Sequence, residues 1–229
     1  MKQKIGTVYA FIAAIFFAAS TPAAAVNLIQ NGNFSDGLTG WTEFTTQRGV
    51  TNTTTANFDV SGSGLQSAVK FFPGEDNILI SYPPGYQGQG GGLHQFVNLQ
   101  QAGSYDFSAS VAIQTLQSAN FSAGRLSLVI DDVIVDTFNV SYINANTILR
   151  SELSFTTFLE SGLHKFALLS TREGETSSLT PSHYYTQVAL TEVLPEPAAW
   201  AMFIFGFGLI GMRMRQQPSN PSLNSVVTS

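Results

Sequence analysis

Tyr105-Asp106-Phe107-Ser108-Ala109-Ser110-Val111-Ala112-Ile113-Gln114 is the stretch that decides the fold. Its apolar side chains fall on every second residue over ten positions. Extended chain points successive side chains to opposite faces, so this pattern reads as a strand with one buried face. Working outward, residues 125–130 (RLSLVI) alternate in the same way. Asp131-Asp132 is a turn signal, and residues 133–138 (VIVDTF) return as the partner strand. Residues 152–158 form a further strand, Ser161-Gly162 turns it into residues 163–169, and residues 186–191 close the series. Upstream, residues 27–30, 40–44, 68–72 and 93–97 are expected strands. Eight to ten short strands with turn residues between them predict an all-β sandwich over residues 26–193. That region shows neither helical periodicity nor an internal repeat.

Composition agrees and excludes several function classes. Of 229 residues, 44% are hydrophobic and only 11% are charged, against about 25% charged in ordinary soluble domains. Eighteen Phe, seven Tyr and two Trp supply core material, and 24 Ser with 21 Thr supply the polar surface. The net charge of −5 argues against nucleic acid, whose phosphates need clustered Lys and Arg. With no cysteine, disulfides, Cys-ligated zinc, iron–sulfur clusters and thiol nucleophiles are excluded.

Both ends carry addresses. Lys2 and Lys4 precede an apolar run at 8–19 and the small residues Ala23-Ala24-Ala25, the three parts of a secretory signal peptide over residues 1–25, cleaved before Val26. Near the other end, Pro195-Glu196-Pro197 leads into residues 198–212, fifteen without a charge, and then into Arg213 and Arg215. As a helix that run covers ~23 Å against a hydrocarbon core of ~30 Å. Trp200 can sit at one interface while the arginine stems snorkel to the other. Gly206, Gly208 and Gly211 allow close packing against another membrane helix. The expectation is a single C-terminal transmembrane helix with Arg213 and Arg215 on the cytoplasmic side and everything before Pro195 outside. Residues 216–229 are Ser/Asn/Pro-rich and read as a disordered tail.

The pattern Pro195-Glu196-Pro197-Ala198-Ala199-Trp200-Ala201-Met202, an apolar run with Gly-Phe-Gly-Leu-Ile-Gly and closing arginines resembles the PEP-CTERM sorting signal in its PEPxxWA form. The match covers about residues 194–215. The resemblance implies recognition and processing by exosortase, a polytopic membrane protein, after Sec export into the inner membrane. It also implies a Gram-negative bacterium that secretes extracellular polysaccharide. The basic cluster Arg213-Met214-Arg215 is thinner than is usual in that family, and the tail to Ser229 extends past the usual end.

A second resemblance spans most of residues 26–193. Asn31-Gly32-Asn33-Phe34, Gly40-Trp41-Thr42, residues 93–99 (LHQFVNL) and Gly103-Ser104-Tyr105, with residues 186–193 in the place of the last strand, are similar to galactose-binding-like, carbohydrate-binding-module jelly rolls. That likeness implies a jelly-roll β-sandwich and a carbohydrate ligand such as extracellular polysaccharide. Ser35 stands where that group usually has an acidic residue, and Tyr185-Thr186 where it often has Asp-Asn. Both positions often help to hold a structural calcium there.

Read for chemistry, the residues offer little catalysis. His94, His164 and His183 show no metal-ligand spacing, and Asp131, Asp132 and Asp136 read as a hairpin turn and an exposed strand face. Glu173-Gly174-Glu175 is a loop pair, whereas a glycosidase dyad needs two carboxylates facing across a fixed gap. There is no GxSxG elbow, and the glycines of 88–92 lack the Lys-Ser/Thr of a P-loop and read as a connector. Triplets of the form Asn-x-Ser/Thr begin at Asn33, Asn52, Asn120 and Asn139 and carry no weight in a bacterial chain. Trp41, which follows a Gly turn and opens a strand, reads as core. No catalytic residue, metal or cofactor is expected. Tyr82, Tyr86, Tyr184 and Tyr185, in or beside predicted loops, are the candidate glycan-stacking residues, since sugar C–H faces lie on aromatic rings. Gln87, Gln89 and Gln187 are candidate hydrogen-bonding neighbours.

The expected function is that of a non-enzymatic, exosortase-sorted protein of the cell surface or extracellular matrix with a carbohydrate-binding role. The rival is a polysaccharide-active hydrolase or lyase on a β-sandwich, which needs a cleft with two close carboxylates. A matrix or ice-surface protein with a flat Thr-rich face is a third reading, and residues 51–55 are too short for it without a repeat.

Overall fold

A computed structural model describes residues 26–46, 49–75, 89–172 and 180–193, with 204 and 206–208. The compact unit Ala25–Val193 is built on two five-stranded antiparallel sheets, with a two-stranded pair beside them. The strands, in chain order, are β1 (Thr42–Thr45), β2 (Gly49–Val50), β3 (Thr54–Phe58), β4 (Gln66–Phe71), β5 (Gly74–Glu75) and β6 (Gln89–Leu99). Then follow β7 (Gly103–Gln114), β8 (Gly124–Ile130), β9 (Val133–Val140), β10 (Ile148–Leu159), β11 (Gly162–Arg172) and β12 (Ser182–Glu192). The first sheet has the order β1-β6-β11-β8-β9 and the second β10-β7-β12-β4-β3; β2 pairs with β5. From β6 onward the chain crosses between the two sheets at almost every connection, which gives the jelly-roll sandwich.

The deciding stretch forms β7, paired along its whole length with β10. Tyr105, Phe107, Ala109, Val111 and Ile113 all enter the core, while Asp106 points outward and accepts Ser154 and Thr156 hydroxyls. The two sheets meet through their alternating inner residues. Leu93, Leu128, Phe166 and Leu168 come from the first sheet, and Phe107, Val111, Phe71 and Leu190 from the second. Phe107 and Phe166 meet edge to face across the interface at 5.2 Å. Each such side chain contributes about 1.5–3 kcal/mol on burial, so the core stabilises a surface with few charges.

Tyr185 pins the sheets together. It lies on β12, is fully buried, and its hydroxyl accepts from the Ser127 amide at 2.8 Å and donates to the Leu169 carbonyl at 2.7 Å. Both partners belong to the opposite sheet. The turn at Asp131-Asp132 is the tight hairpin that the sequence signals. The two residues have φ of 48° and 66°, the left-handed pair of a type I′ turn, a conformation Asp tolerates better than most residues. Trp41 is buried against Phe34 and donates its indole N–H to the Asn31 carbonyl at 3.2 Å, as expected of a core residue.

Three expectations need correction. Residues 27–30 are not a strand; only Asn27 makes an isolated bridge, to Thr191. Its side chain does the pairing instead, accepting from Ile29 and Leu190 amides and donating to the Val188 carbonyl. Residues 89–92 are not a connector but the start of β6. Here the glycines permit close approach, since a Cβ on Gly92 would lie 1.8 Å from the Leu168 carbonyl oxygen. Residues 54–58, of which the sequence reading takes in only Thr54 and Thr55, as part of the Thr-rich run 51–55, form the edge strand β3.

Among the described residues no helix is long and apolar enough to cross a membrane. Residues 204 and 206–208 are helical. The signal segment 1–25, the tail 216–229, and Pro195, Glu196, Pro197, Trp200, Arg213 and Arg215 lie outside the described residues.

Candidate functional site

At the end of the first sheet where β8 begins and β9 and β11 finish, a pocket of about 350 Å³ is lined by Phe121, Ser122, Arg125, Asn139, Thr171 and Arg172, among others. Two loops build its rim. The β7–β8 loop and the β9–β10 loop are clipped together by a reciprocal backbone pair, Asn120 to Ile143, at 2.9 Å in both directions. The Thr115 hydroxyl adds a bond to the Asn144 carbonyl, and the Asn146 side chain accepts from the Gln117 amide. On this stitched base Phe121 is 84% exposed and Tyr142 45% exposed. Their rings contact at 5.1 Å, tilted by 47°, and the Tyr142 hydroxyl donates to Asn144. Large aromatic rings held in water by an ordered loop are an unsatisfied apolar surface beside polar groups, the composition of a ligand pocket.

The pocket floor is electrostatically unusual. Arg172, the last residue of β11, is 1% exposed. Its Nε donates to the Ser122 carbonyl at 3.2 Å and its Nη1 to the Thr180 hydroxyl at 3.3 Å. Both acceptors are neutral, and among the described residues no carboxylate forms an ion pair with it. Burial therefore lowers the pKa of the guanidinium from its ordinary value. Next to it, fully buried His183 bonds through Nε2 to the Ala123 carbonyl at 2.7 Å and through Nδ1 to the Ser170 hydroxyl at 2.9 Å. A carbonyl can only accept, so Nε2 carries the proton and Nδ1 accepts from Ser170. Burial, assisted by the Arg172 charge, lowers the His183 pKa to about 4 against the Ala123 bond, so the ring is neutral. The His183 imidazole also fixes the backbone at Gly124, where a Cβ would lie 2.6 Å from Cε1.

A second surface lies on the outer face of the first sheet. The His94 ring sits between Phe44 at 5.9 Å and Phe96 at 5.3 Å, and Phe96 is exposed. Burial first, and the Lys165 charge second, lower the His94 pKa against an opposing effect of Asp132. Lys165 itself pairs with Asp132 at 2.7 Å.

Asp131 and Asp136 are engaged by neighbouring groups, while Glu173 and Glu175 lie outside the described residues. The Asp131 carboxylate takes the His164 Nδ1 at 2.7 Å and the Lys165 amide. The other His164 nitrogen faces the Glu160 carbonyl. Both partners are acceptors, so the protonated ring is favoured and the His164 pKa is raised, chiefly by Asp131. The Asp136 oxygens accept from the Thr137 and Ser154 amides. Among the described residues no three His, Asp or Glu side chains are grouped to hold a metal. Ser35 is engaged with Asn33.

The tyrosine candidates fare unevenly. Tyr184 and Tyr185 are corrected as glycan-stacking residues. Tyr185 is wholly inside the core, and Tyr184 is 3% exposed with one ring face stacked on Phe58 at 3.9 Å. Alternation explains both: in β12 one points inward, and the other points outward under the covering β3 edge and Val60. Tyr82, Tyr86 and Gln87 lie outside the described residues. Gln187 is tied to Ser110 and Gln66. The residues that sequence reading missed are Phe121, Tyr142 and Arg172. The available signal was Phe121 beside Asn120 in a polar loop, an aromatic with no strand pattern to bury it.

No protein-family model and no curated protein sequence matches the chain. Among solved structures, a putative sugar binding protein from Bacteroides thetaiotaomicron VPI-5482 aligns with 73% of this chain and 100% of its own, at 11% identity and a TM-score of 0.45. The tandem CBM22-1-CBM22-2 domain of Paenibacillus barcinonensis Xyn10C aligns with 77% of this chain and 52% of its own, at 13% identity and a TM-score of 0.45. TmCBM61, solved with beta-1,4-galactotriose, aligns with 73% of this chain and 99% of its own, at 14% identity and a TM-score of 0.40. At these scores nothing about a ligand passes to this chain.

Proposed function

We propose that this chain is a non-enzymatic, glycan-binding protein of the cell surface or extracellular matrix of a Gram-negative bacterium, exported through Sec and sorted by exosortase. The observation that carries the binding half is the exposed Phe121–Tyr142 pair at the mouth of the polar pocket, on loops held rigid by the Asn120–Ile143 clip. A sugar offers C–H faces to such rings and hydroxyls to groups such as Asn139. The sorting half rests on Pro195-Glu196-Pro197, Trp200 and the arginines Arg213 and Arg215, which follow directly after the compact unit ends at Val193. In this reading residues 198–212 form a transmembrane helix, and the inner membrane is a station on the way out.

Mass spectrometry of the protein isolated from its own cells tests the sorting. The mature form is expected to begin at Val26 and end near residues 195–197. Recovery of an intact Arg213–Ser229 end would overturn processing. Binding to the host's own exopolysaccharide fractions, lost in F121A, tests the other half, and no binding to any fraction would overturn it.

A further inference from the structure

We propose that the pocket at the end of the first sheet seats an acidic sugar, with the carboxylate of a hexuronate residue against Arg172 and its pyranose ring on the face of Phe121. The proposal rests on the glycan-binding reading and names the class of glycan. Three observations carry it. Arg172 is almost fully buried, yet it lines the pocket. Its bonds go from Nε and Nη1 to neutral oxygens, and Nη2 has no bond to any residue described. A buried charge without a counter-charge is costly, so side chains of this kind are ordinarily paired. A carboxylate in the pocket completes the pairing, and guanidinium–carboxylate bonds are among the strongest hydrogen bonds available.

The surroundings suit the same ligand. The volume of about 350 Å³ falls at the small end of ligand pockets. Asn139 and Thr171 offer donors and acceptors for hydroxyls. Phe121 gives an apolar face. A neutral sugar satisfies the ring but leaves the guanidinium uncompensated. A free carboxylate satisfies the guanidinium but leaves the ring in water.

Titration calorimetry on the detergent-solubilised full chain decides the matter, with three probes of equal length: hexagalacturonate, its methyl ester and neutral galactohexaose. The acid is expected to bind at least about tenfold more tightly than either uncharged probe, as loss of one charge-assisted hydrogen bond predicts. F121A, a change at an exposed ring, is expected to leave the melting temperature nearly unaltered and to weaken acid binding by about tenfold or more. R172K keeps the positive charge and removes the fork, and should narrow, without abolishing, the preference for acid over ester. Equal affinity for acid and ester in the wild type would overturn the acidic-sugar assignment while supporting the glycan-binding reading. Unchanged acid binding in F121A would overturn the placement in this pocket. No binding of any of the three probes would overturn the assignment, and the exopolysaccharide fractions then judge the broader reading separately.

Discussion

At the scale of single residues, two histidines tilt stability in opposite directions with pH. His183 has a folded pKa of about 4 against an ordinary value near 6.5. The unfolded chain therefore takes up a proton first as pH falls. The stabilisation is fully present above about pH 6.5 and is lost between about pH 6.5 and 4, to the extent of about 3 kcal/mol. His164 has a raised pKa through Asp131. Its contribution is present below about pH 6.5 and is lost as pH rises through the folded value. Proton NMR of the imidazoles checks both signs: the His183 signal is expected not to titrate above pH 5, and the His164 signal to titrate above its ordinary midpoint. Tyr185 makes a sharper test. Y185F keeps the ring and removes the hydroxyl that satisfies the Ser127 amide and Leu169 carbonyl. Leaving a buried donor unpaired costs about 1–3 kcal/mol, and urea unfolding should show that loss with an unchanged m-value.

At the scale of elements, alternation carried most of the information. The inward residues of β7 could be read as the positions where a two-residue period places apolar side chains, and the Asp131-Asp132 hairpin by its turn chemistry. Where period failed, another force had replaced backbone pairing or side-chain burial. Asn27 pairs through its amide group, and β3 is an edge with little to bury. The glycines of β6 have no side chains to display a period, yet the neighbouring backbone demands them. G92A should therefore destabilise by about 3 kcal/mol, because the obstructing atom is the Leu168 carbonyl of an adjacent strand rather than a movable side-chain tip. A melting-temperature comparison with the wild type checks this. The pocket was less legible than the strands. Phe121, Arg172 and Tyr142 lie far apart in sequence and are joined only by the loop clip and the end of β11. Tyr184 and Tyr185 had the right ring chemistry and were on a strand that buries both faces.

At the scale of the whole molecule, the chain divides its tasks. The unit Ala25–Val193 holds the core and the pocket, and the segments beyond it hold the proposed addresses. The two can be separated experimentally. Replacing Pro195, Glu196 and Pro197 together with alanine is expected to leave an uncleaved protein in the inner-membrane fraction, with glycan binding unchanged. Fractionation and immunoblotting read the first result, and calorimetry the second.

The position of β12 has a consequence for biogenesis. It is the last of the described strands in chain order, yet it runs between β7 and β4 in the middle of its sheet and delivers the Tyr185 pin to the other one. Until residue 192 has crossed the membrane, β7 and β4 each carry a bare backbone edge and cannot lock. A nascent chain stalled before Ser182 is thus a sticky half-sandwich, open to foreign strands. Completion of the fold is a terminal event, timed by the arrival of the last eleven-residue strand.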